Sequence, residues 1–406
     1  MKLLFVNRFF HPDQSATSVM LSDLLSELNT TRRECVVITG SGVHTEGGDL
    51  EQRNFENVSI IRVPSLKNGN PSMAGRLLNF LLFYLGIIVV GLWRFERGDC
   101  VVCLTDPPLI SVPVSIVARL KGAKVVNWLQ DIYPETATIL GFGSDDKLAI
   151  RLMRKLRDRS LKDASVNVCI GAAMKQRVRS LGVSEHQIRV IPNWTDEDGL
   201  APMPISANPL RKEWDLSEES LIVGYSGNLG RAHDVDTMVD AGRRLIATGH
   251  TNLEFLFVGG GAKLALLPSV AEEPEIAPHF KIRGYRPRSE LRLSLAVADI
   301  HWLSLEPELE GLIVPSKFYG AIAAGRPMIF IGETKGEVAG LIREADCGES
   351  FCKGDVQGVA DYLARLASDC ELRDALGRNA RAFCEQELRR SGRISAWDEL
   401  LTEMVA

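Results

Sequence analysis

The stretch LIVGYSGNLGRAHDVDTMVDAGRRL, residues 221–245, decides how the chain is read. It opens on a short apolar, β-branched run that reads as a strand ending at Tyr225. Ser-Gly-Asn-Leu-Gly-Arg follows, and from Asp234 onward the pattern is helical. Strand, glycine turn and helix together are the opening of a βαβ unit, and Gly227 and Gly230 let the backbone turn tightly and approach a ligand. The same order occurs at the N-terminus, where KLLFVN leads through RFFHPDQSAT into an amphipathic helix over residues 18–28. A pattern that restarts at residue 221 of a 406-residue chain predicts two domains.

Working outward, the first half offers the strands KLLFVN, CVVITG, VSIIRVP, DCVVCLT, KVVNWLQ, VNVCIG and IRVIPN, with helical stretches between most of them. The second offers LIVGYSG, LEFLFVGGG, FKIRGY, DIHWLSL and PMIFIG. Continuous apolar strands that alternate with helices mean parallel sheets covered on both faces, the doubly wound α/β class. The proline-rich, polar segment IPNWTDEDGLAPMPISANPLRKEW reads as a linker between them. The expected organisation is a Rossmann-like domain over residues 1–195, a second over 196–385, and a terminal helix over 386–406 returning to the first. Ligands of such sheets bind beyond the carboxyl ends of the strands, so two facing sheets predict a cleft between domains.

Composition narrows the classes. A net charge of −5 leaves no general polyanion-binding character, and no nucleic-acid partner is expected. The 8 cysteines are scattered, several within apolar runs, and read as buried hydrophobes of a reduced, intracellular protein. Cys100 and Cys103 lie within a strand pattern with no second pair, which argues against a metal or redox centre. MKLLFVNRFF carries too short an apolar run for a secretory signal. RLLNFLLFYLGIIVVGLWRF, residues 76–95, has no charge between its two arginines and predicts a long, partly buried helix with an exposed apolar face. The basic amphipathic stretch at residues 149–164 suits an anionic membrane surface or a solvated face, and with the apolar helix it favours peripheral membrane association.

Several positions have the chemistry to meet a charged ligand. Gly227, Asn228, Gly230, Arg231 and His233 lie on the glycine turn, where the following helix and added charge suit phosphate. An ordinary strand-to-helix turn would read the same way. Gly260 stands in a second glycine turn, FVGGGAK, that reads mainly as structural and opens a further helix; Tyr285 and Arg286 follow the next strand and complete this side. EGLIVPSKFYGAIAAG sets Glu310 in an acidic loop, Ser316 as a helix cap, and Lys317 where a phosphate on the helix dipole would sit. Beyond the first domain's strands come Gln130, Asp131 and Glu135, and the opening loop contributes His11, Asp13, Ser15 and Thr17. Asp131 suits orientation of a hydroxyl nucleophile, or a helix cap.

Taken in order, FFHPDQSATSVMLSDL, NWLQDIYPE, VIPNWTD, YSGNLGRAHDVDT and GLIVPSKFYGAIAAGRP resemble glycosyltransferase family 4 of GT-B architecture, in its subgroup for bacterial O-antigen, capsule and colanic-acid-type polysaccharides, and are similar to N-acetylfucosamine transferases. The resemblance implies retaining transfer, without metal or other cofactor, of a sugar from a nucleotide-sugar, UDP-linked, to a polyprenyl-diphosphate-linked glycan at the cytoplasmic face of the inner membrane. It implies donor contacts from the second domain and acceptor contacts from the first, with Asp131, Glu310, Arg231 and Lys317 in catalytic roles. The family's Arg and Lys in the glycine turn are Asn228 and His233 here, and Gly320 replaces the second of its two glutamates. A sugar-nucleotide 2-epimerase of the same architecture, or a non-catalytic partner in polysaccharide assembly, are the alternatives.

Overall fold

The structure is a computed structural model that describes residues 1–13, 15–28, 33–41, 55, 57–64, 73–143, 147–264, 267 and 273–405. The chain forms two compact units. One comprises Met1–Pro192, Gly311–Ile313 and Ser391–Ala406, and the other Asn193–Glu310 and Val314–Arg390.

Seven strands build the first unit: β1 (Leu3–Val6), β2 (Cys35–Gly40), β3 (Val58–Val63), β4 (Cys100–Cys103), β5 (Lys124–Leu129), β6 (Val166–Cys169) and β7 (Ile188–Val190). All run parallel in the order β3-β2-β1-β4-β5-β6-β7, with Leu3 opposite both Cys35 and Cys100. Parallel pairing needs a crossover between strands, and α1 (Ala16–Glu27), α2 (Met73–Arg94), α3 (Ser111–Lys121), α4 (Glu135–Ile139), α5 (Leu148–Asp163) and α6 (Ala172–Ser180) lie along the chain between them. Leu4, Val6, Val101 and Val125 meet Phe83, Ile87, Val114 and Val117 in one core. Trp128 packs against Trp397 from the C-terminal segment, ring centroids 4.5 Å apart.

Six strands build the second: β8 (Leu221–Asn228), β9 (Leu253–Gly260), β10 (Phe280–Arg283), β11 (Ile300–Ser304), β12 (Met328–Ile331) and β13 (Gly348–Phe351), parallel in the order β10-β9-β8-β11-β12-β13. Its helices are α7 (Pro209–Glu213), α8 (Asp236–Ala247), α9 (Leu291–Ala296), α10 (Lys317–Ala323), α11 (Glu337–Ala345), α12 (Val356–Ser368) and α13 (Cys370–Glu387); α14 (Arg390–Val405) closes the chain. Tyr225, Phe257, Trp302 and Ile329 form the sheet side of its main core.

Several sequence expectations shift. β8 runs on to Asn228, past Tyr225, because Ser226 to Asn228 continue the ladder opposite Val258 to Gly260. The helix after it begins at Asp236, with Asp234 buried. The segment read as a linker is structured: Asn208 caps α7, and Leu210 and Trp214 are buried against Ile222 and Leu256. β13 is a strand that the sequence does not announce, since GESF carries no apolar run and its residues are half-buried or exposed. The helix expected after Gly261 falls largely on residues 265–266 and 268–272, outside the described residues.

Helix α2 buries Phe83 and Ile87 and turns Leu77, Leu81, Leu85, Val89 and Trp93 to the outside. By length and composition Gly75–Arg94 could cross a membrane, and only 17% of its apolar stretch is buried. It packs on α3, which exposes Ile116 and Leu120, and α3 packs on α5, which exposes Leu148, Leu152 and Leu156. Basic residues of α5 accompany this apolar surface, among them Arg151, Lys155 and Lys162.

Candidate functional site

In the second unit the strand order reverses direction between β8 and β11, the switch point at which open parallel sheets bind ligands. Both glycine turns lie at this carboxyl edge. Gly227 adopts φ +125°, and a Cβ there would stand 2.8 Å from Lys317 Cε. Its lack of a side chain lets the lysine stem lie across the turn. Gly259, at φ +130°, has no room for a side chain either, because a Cβ would come within 2.3 Å of the Gly227 carbonyl oxygen. The turns are laced together by Leu229 N–H donating to Gly260 O at 2.7 Å and Lys263 N–H donating to Leu229 O at 2.9 Å. The second glycine cluster thus supports the first.

Lys317 opens α10 and is half-buried. Its Nζ lies 3.2 Å from His233 Nε2 and 5.5 Å from the centroid of the Tyr225 ring. Burial alone pushes its ammonium down to about 8, and no carboxylate contributes to holding the charge. His233 is buried, with Nδ1 2.6 Å from the Ser304 carbonyl oxygen. A carbonyl can only accept, so Nδ1 carries the proton and Nε2 is an acceptor facing Lys317. Burial first, and then the Lys317 charge, push the imidazole down to about 4, so His233 is neutral near pH 7. Of the expectation that His233 adds charge or a donor, the charge is corrected: Lys317 holds the charge, and the His233 Nδ1 donor is taken by Ser304.

Other residues of this side have varied surroundings. Asn228 and Arg231 are exposed on the turn beside Gly230, and the Asn228 carbonyl accepts the Tyr225 hydroxyl at 2.9 Å. Tyr285 is 52% exposed and lies against Gly260, where a Cβ would meet its ring at 2.8 Å. Arg286 is committed to Glu213 at 3.0 Å and Glu290 at 2.8 Å. Ser316 stands at the cap position of α10, but its side chain makes no capping bond there. α10 is a short helix of seven residues, and the full charge at its start is that of the Lys317 side chain. The start of α8 is already faced by the acidic Asp236. Glu310 caps α11, its Oε1 accepting the Glu337 N–H at 2.8 Å. Glu306, the first of the three glutamates in the acidic loop, pairs with Lys353 at 2.6 Å and Lys263 at 3.7 Å.

In the first unit the switch point falls between β1 and β4. It is bridged by Arg8, whose N–H donates to Asp106 O at 2.9 Å and whose Nε lies 3.3 Å from the Asp106 carboxylate. Asp131 follows β5 and pairs in an antiparallel bridge with Ile313, while α4 starts later, at Glu135, so Asp131 is not its cap. Burial, and secondarily the Asp106 charge, push the Asp131 carboxyl up to about 7. A cavity of about 30 Å³ beside it is lined by Thr105, Asn127, Tyr133 and Arg157, among others. The Thr105 hydroxyl and the Asn127 carbonyl oxygen are buried there without a protein partner among the described residues, and the space suits a water. Gln130 is half-buried beside Asp131.

The remaining first-unit candidates have internal partners. Burial would raise Glu135, but hydrogen bonds and charge from Arg157 at 2.7 and 2.9 Å, helped by Arg154, hold it below the usual carboxylate range. It therefore fastens α4 to α5. Asp13 accepts from the Ser15 N–H at 2.8 Å, Ser15 caps α1, and the Thr17 hydroxyl accepts from Asn7 at 3.2 Å. His11 packs its ring on Phe55. These residues shape the β1–α1 turn.

Two wholly parallel sheets, each with polar or charged groups at its switch point, fit the GT-B architecture of two Rossmann-like domains. Residues 16–194 match the family described as "Glycosyl transferase 4-like domain", and residues 206–383 match "Glycosyl transferases group 1". The chain thus carries a glycosyl transferase 4-like domain followed by a glycosyl transferases group 1 domain. It is 28% identical over 296 residues, 72% of each chain, to a Pseudomonas aeruginosa protein named as a glycosyltransferase, WbjE. It is 23% identical over 372 residues, 87% of this chain and 88% of the other, to Escherichia coli K12 WcaI, named as a colanic acid biosynthesis glycosyl transferase. Among solved structures, Anabaena HepE in complex with UDP superposes with a TM-score of 0.73 at 15% identity, covering 99% of this chain and 100% of that one. WaaG, a glycosyltransferase involved in lipopolysaccharide biosynthesis, gives 0.70 at 15% identity, covering 98% and 99%. At such identities the structures bear on fold alone.

Proposed function

We propose that this chain transfers a sugar from a nucleotide-sugar donor, UDP-linked, to a lipid-linked glycan acceptor in the assembly of a bacterial surface polysaccharide. The observation that carries the reading is the half-buried Lys317 ammonium, which has a neutral imidazole and an aromatic ring beside it and no carboxylate partner among the described residues. Removing a charge from water is costly unless an opposite charge meets it. A diphosphate is the counter-charge that the cradle lacks. As the sugar–phosphate bond breaks, negative charge grows on the departing diphosphate, and Lys317 together with the exposed Arg231 can stabilise it. Retention of configuration without a metal, and an N-acetylated amino sugar as the transferred group, follow the family resemblance and belong to this proposal.

The acceptor side is assigned to the first unit, where Asp131 offers a carboxyl that titrates near neutrality to a hydroxyl nucleophile. The name of WcaI supports a polysaccharide product, and the UDP in the HepE structure supports the choice of nucleotide. The exposed apolar faces of α2, α3 and α5, with the basic residues of α5, fit the surface of an anionic bilayer that carries a polyprenyl-linked acceptor, and they support a proposed peripheral location on the cytoplasmic face of the inner membrane.

The test is to incubate the purified protein with UDP-sugars and a bacterial lipid extract and to follow nucleoside diphosphate release and labelled lipid together. Acceptor-dependent release that Lys317→Met abolishes is expected. Interconversion of the sugar without any acceptor would turn the assignment to the epimerase, and binding without turnover to the non-catalytic partner.

A further inference from the structure

The switch point of the second sheet is spanned by a chain of contacts that the transfer reaction does not by itself require. The Ser304 carbonyl, at the end of β11, accepts from His233 Nδ1 at 2.6 Å. Nε2 of the same ring lies 3.2 Å from Lys317 Nζ on α10. The ring is set edge-on to Tyr225 of β8, centroids 5.8 Å apart at 73°, and the Tyr225 hydroxyl is fixed by the Asn228 carbonyl at 2.9 Å. Two strands, β11 and β8, therefore hold the imidazole, and its one remaining polar atom is turned on the lysine.

A lysine side chain has four rotatable bonds and a freely turning ammonium, so by itself it is a diffuse point charge. Here two restraints act on it. Its stem crosses the bare Gly227 turn, and one of its three N–H bonds has a fixed acceptor. We propose that His233 is a positioning residue for the donor's diphosphate: as a neutral Nδ1–H imidazole it takes one Lys317 N–H at Nε2 and leaves the other two for the phosphate oxygens. The inference rests on the donor reading of this site. It assigns the site one oriented positive charge in place of two repelling ones. The other charged or titratable groups around the pair are Lys263 after β9, Glu306 after β11, Tyr225 on β8, and Arg231 and Asp234 on the turn of His233 itself. Glu306 is already paired with Lys263 and Lys353, which leaves Lys317 as the cation that His233 addresses.

The experiment measures calorimetric affinity for inorganic pyrophosphate and for UDP in the wild type, His233→Gln, His233→Met, Lys317→Met and the His233→Met/Lys317→Met pair. A glutamine amide can donate to Ser304 and accept from Lys317, whereas methionine fills similar space without an acceptor. The expected result is a loss of roughly tenfold or more in His233→Met, retention within a few-fold in His233→Gln, and no further loss when His233→Met is added to Lys317→Met. Nitrogen NMR of the histidine rings, with His233 assigned from the Gln variant, should show the neutral Nδ1–H tautomer from about pH 5.5 to about pH 8. This reading needs only the wild type and the Gln variant to fold, not the Met variants. Equal losses in the Gln and Met variants, additive losses in the double variant, or a charged His233 near neutrality would each overturn the proposal while leaving the donor site in place. Failure of the wild type to bind either ligand would instead remove the donor reading, and this inference with it.

Discussion

A single missing side chain lets Lys317 reach its post. Gly227 sits at φ +125°, and the space a Cβ would take is occupied by the lysine stem. Gly227→Ala therefore meets two penalties, backbone strain of about 1–3 kcal/mol and displacement of Lys317. Gly249, at φ +90° with nothing within 4 Å of an added Cβ, meets only the first. Both alanine variants should lower the denaturation midpoint, but only Gly227→Ala should also weaken UDP binding in a calorimetric titration, by roughly tenfold or more. The pH dependence belongs to the same residue. Burial pushes Lys317 down to about 8, so its charge is fully present well below that pH and is lost as pH rises through it; bound diphosphate draws the proton back. Sequence made Gly227 and Lys317 legible as a turn and a charge beyond a strand. It did not show that they touch, because 90 residues of chain separate them, nor that His233 is neutral. The tautomer is set by the Ser304 carbonyl, 71 residues away in sequence, and by burial.

At the scale of elements, the most informative surface is the outer face of α2. Leu81, Leu85 and Trp93 are 49%, 60% and 80% exposed and contribute little to the core, yet they continue the apolar strip beside α3 and α5. Replacing all three with serine should leave the thermal midpoint nearly unchanged. Co-sedimentation with vesicles rich in anionic phospholipid should fall close to background, because each exposed apolar side chain buried in the bilayer boundary is worth of order 1–3 kcal/mol and the three together change the partitioning by roughly a hundredfold or more. Unchanged sedimentation would remove the membrane reading and leave α2 without a partner. The apolar run that forms α2 was plain in sequence, as were the strands flanking it, since buried parallel strands are continuous apolar runs. α7 and β13 were not. α7 is one and a half turns within a proline-rich stretch, held by Asn208 and by packing of Leu210 and Trp214 that no local period reveals. β13 is an edge strand paired only with β12, so its residues need not be apolar.

For the whole molecule, the net charge of −5 offers an anionic donor no general attraction, so binding must come from local groups. The second unit gathers them at one switch point, and the first unit places Arg8, Asp106 and Asp131 at the carboxyl edge of its own sheet. That both halves are doubly wound was readable from the restart at Leu221. Which named residues serve ligands and which serve the fold was less so: Glu135, Asp13, Arg286 and Glu310 have the right chemistry and position, but each is held by a structural partner. Such pairings depend on tertiary proximity, which residue order does not carry.

In the proposed function Lys317 is the cation that binds the donor's diphosphate. The most direct measurement is a calorimetric titration of the wild type and Lys317→Met with UDP, and with GDP, dTDP and CMP for comparison. Saturable binding of UDP by the wild type, reduced at least tenfold by Lys317→Met with the thermal midpoint preserved, is the predicted result. Undiminished UDP binding by Lys317→Met, or no binding of any of these nucleotides by the folded wild type, would contradict it.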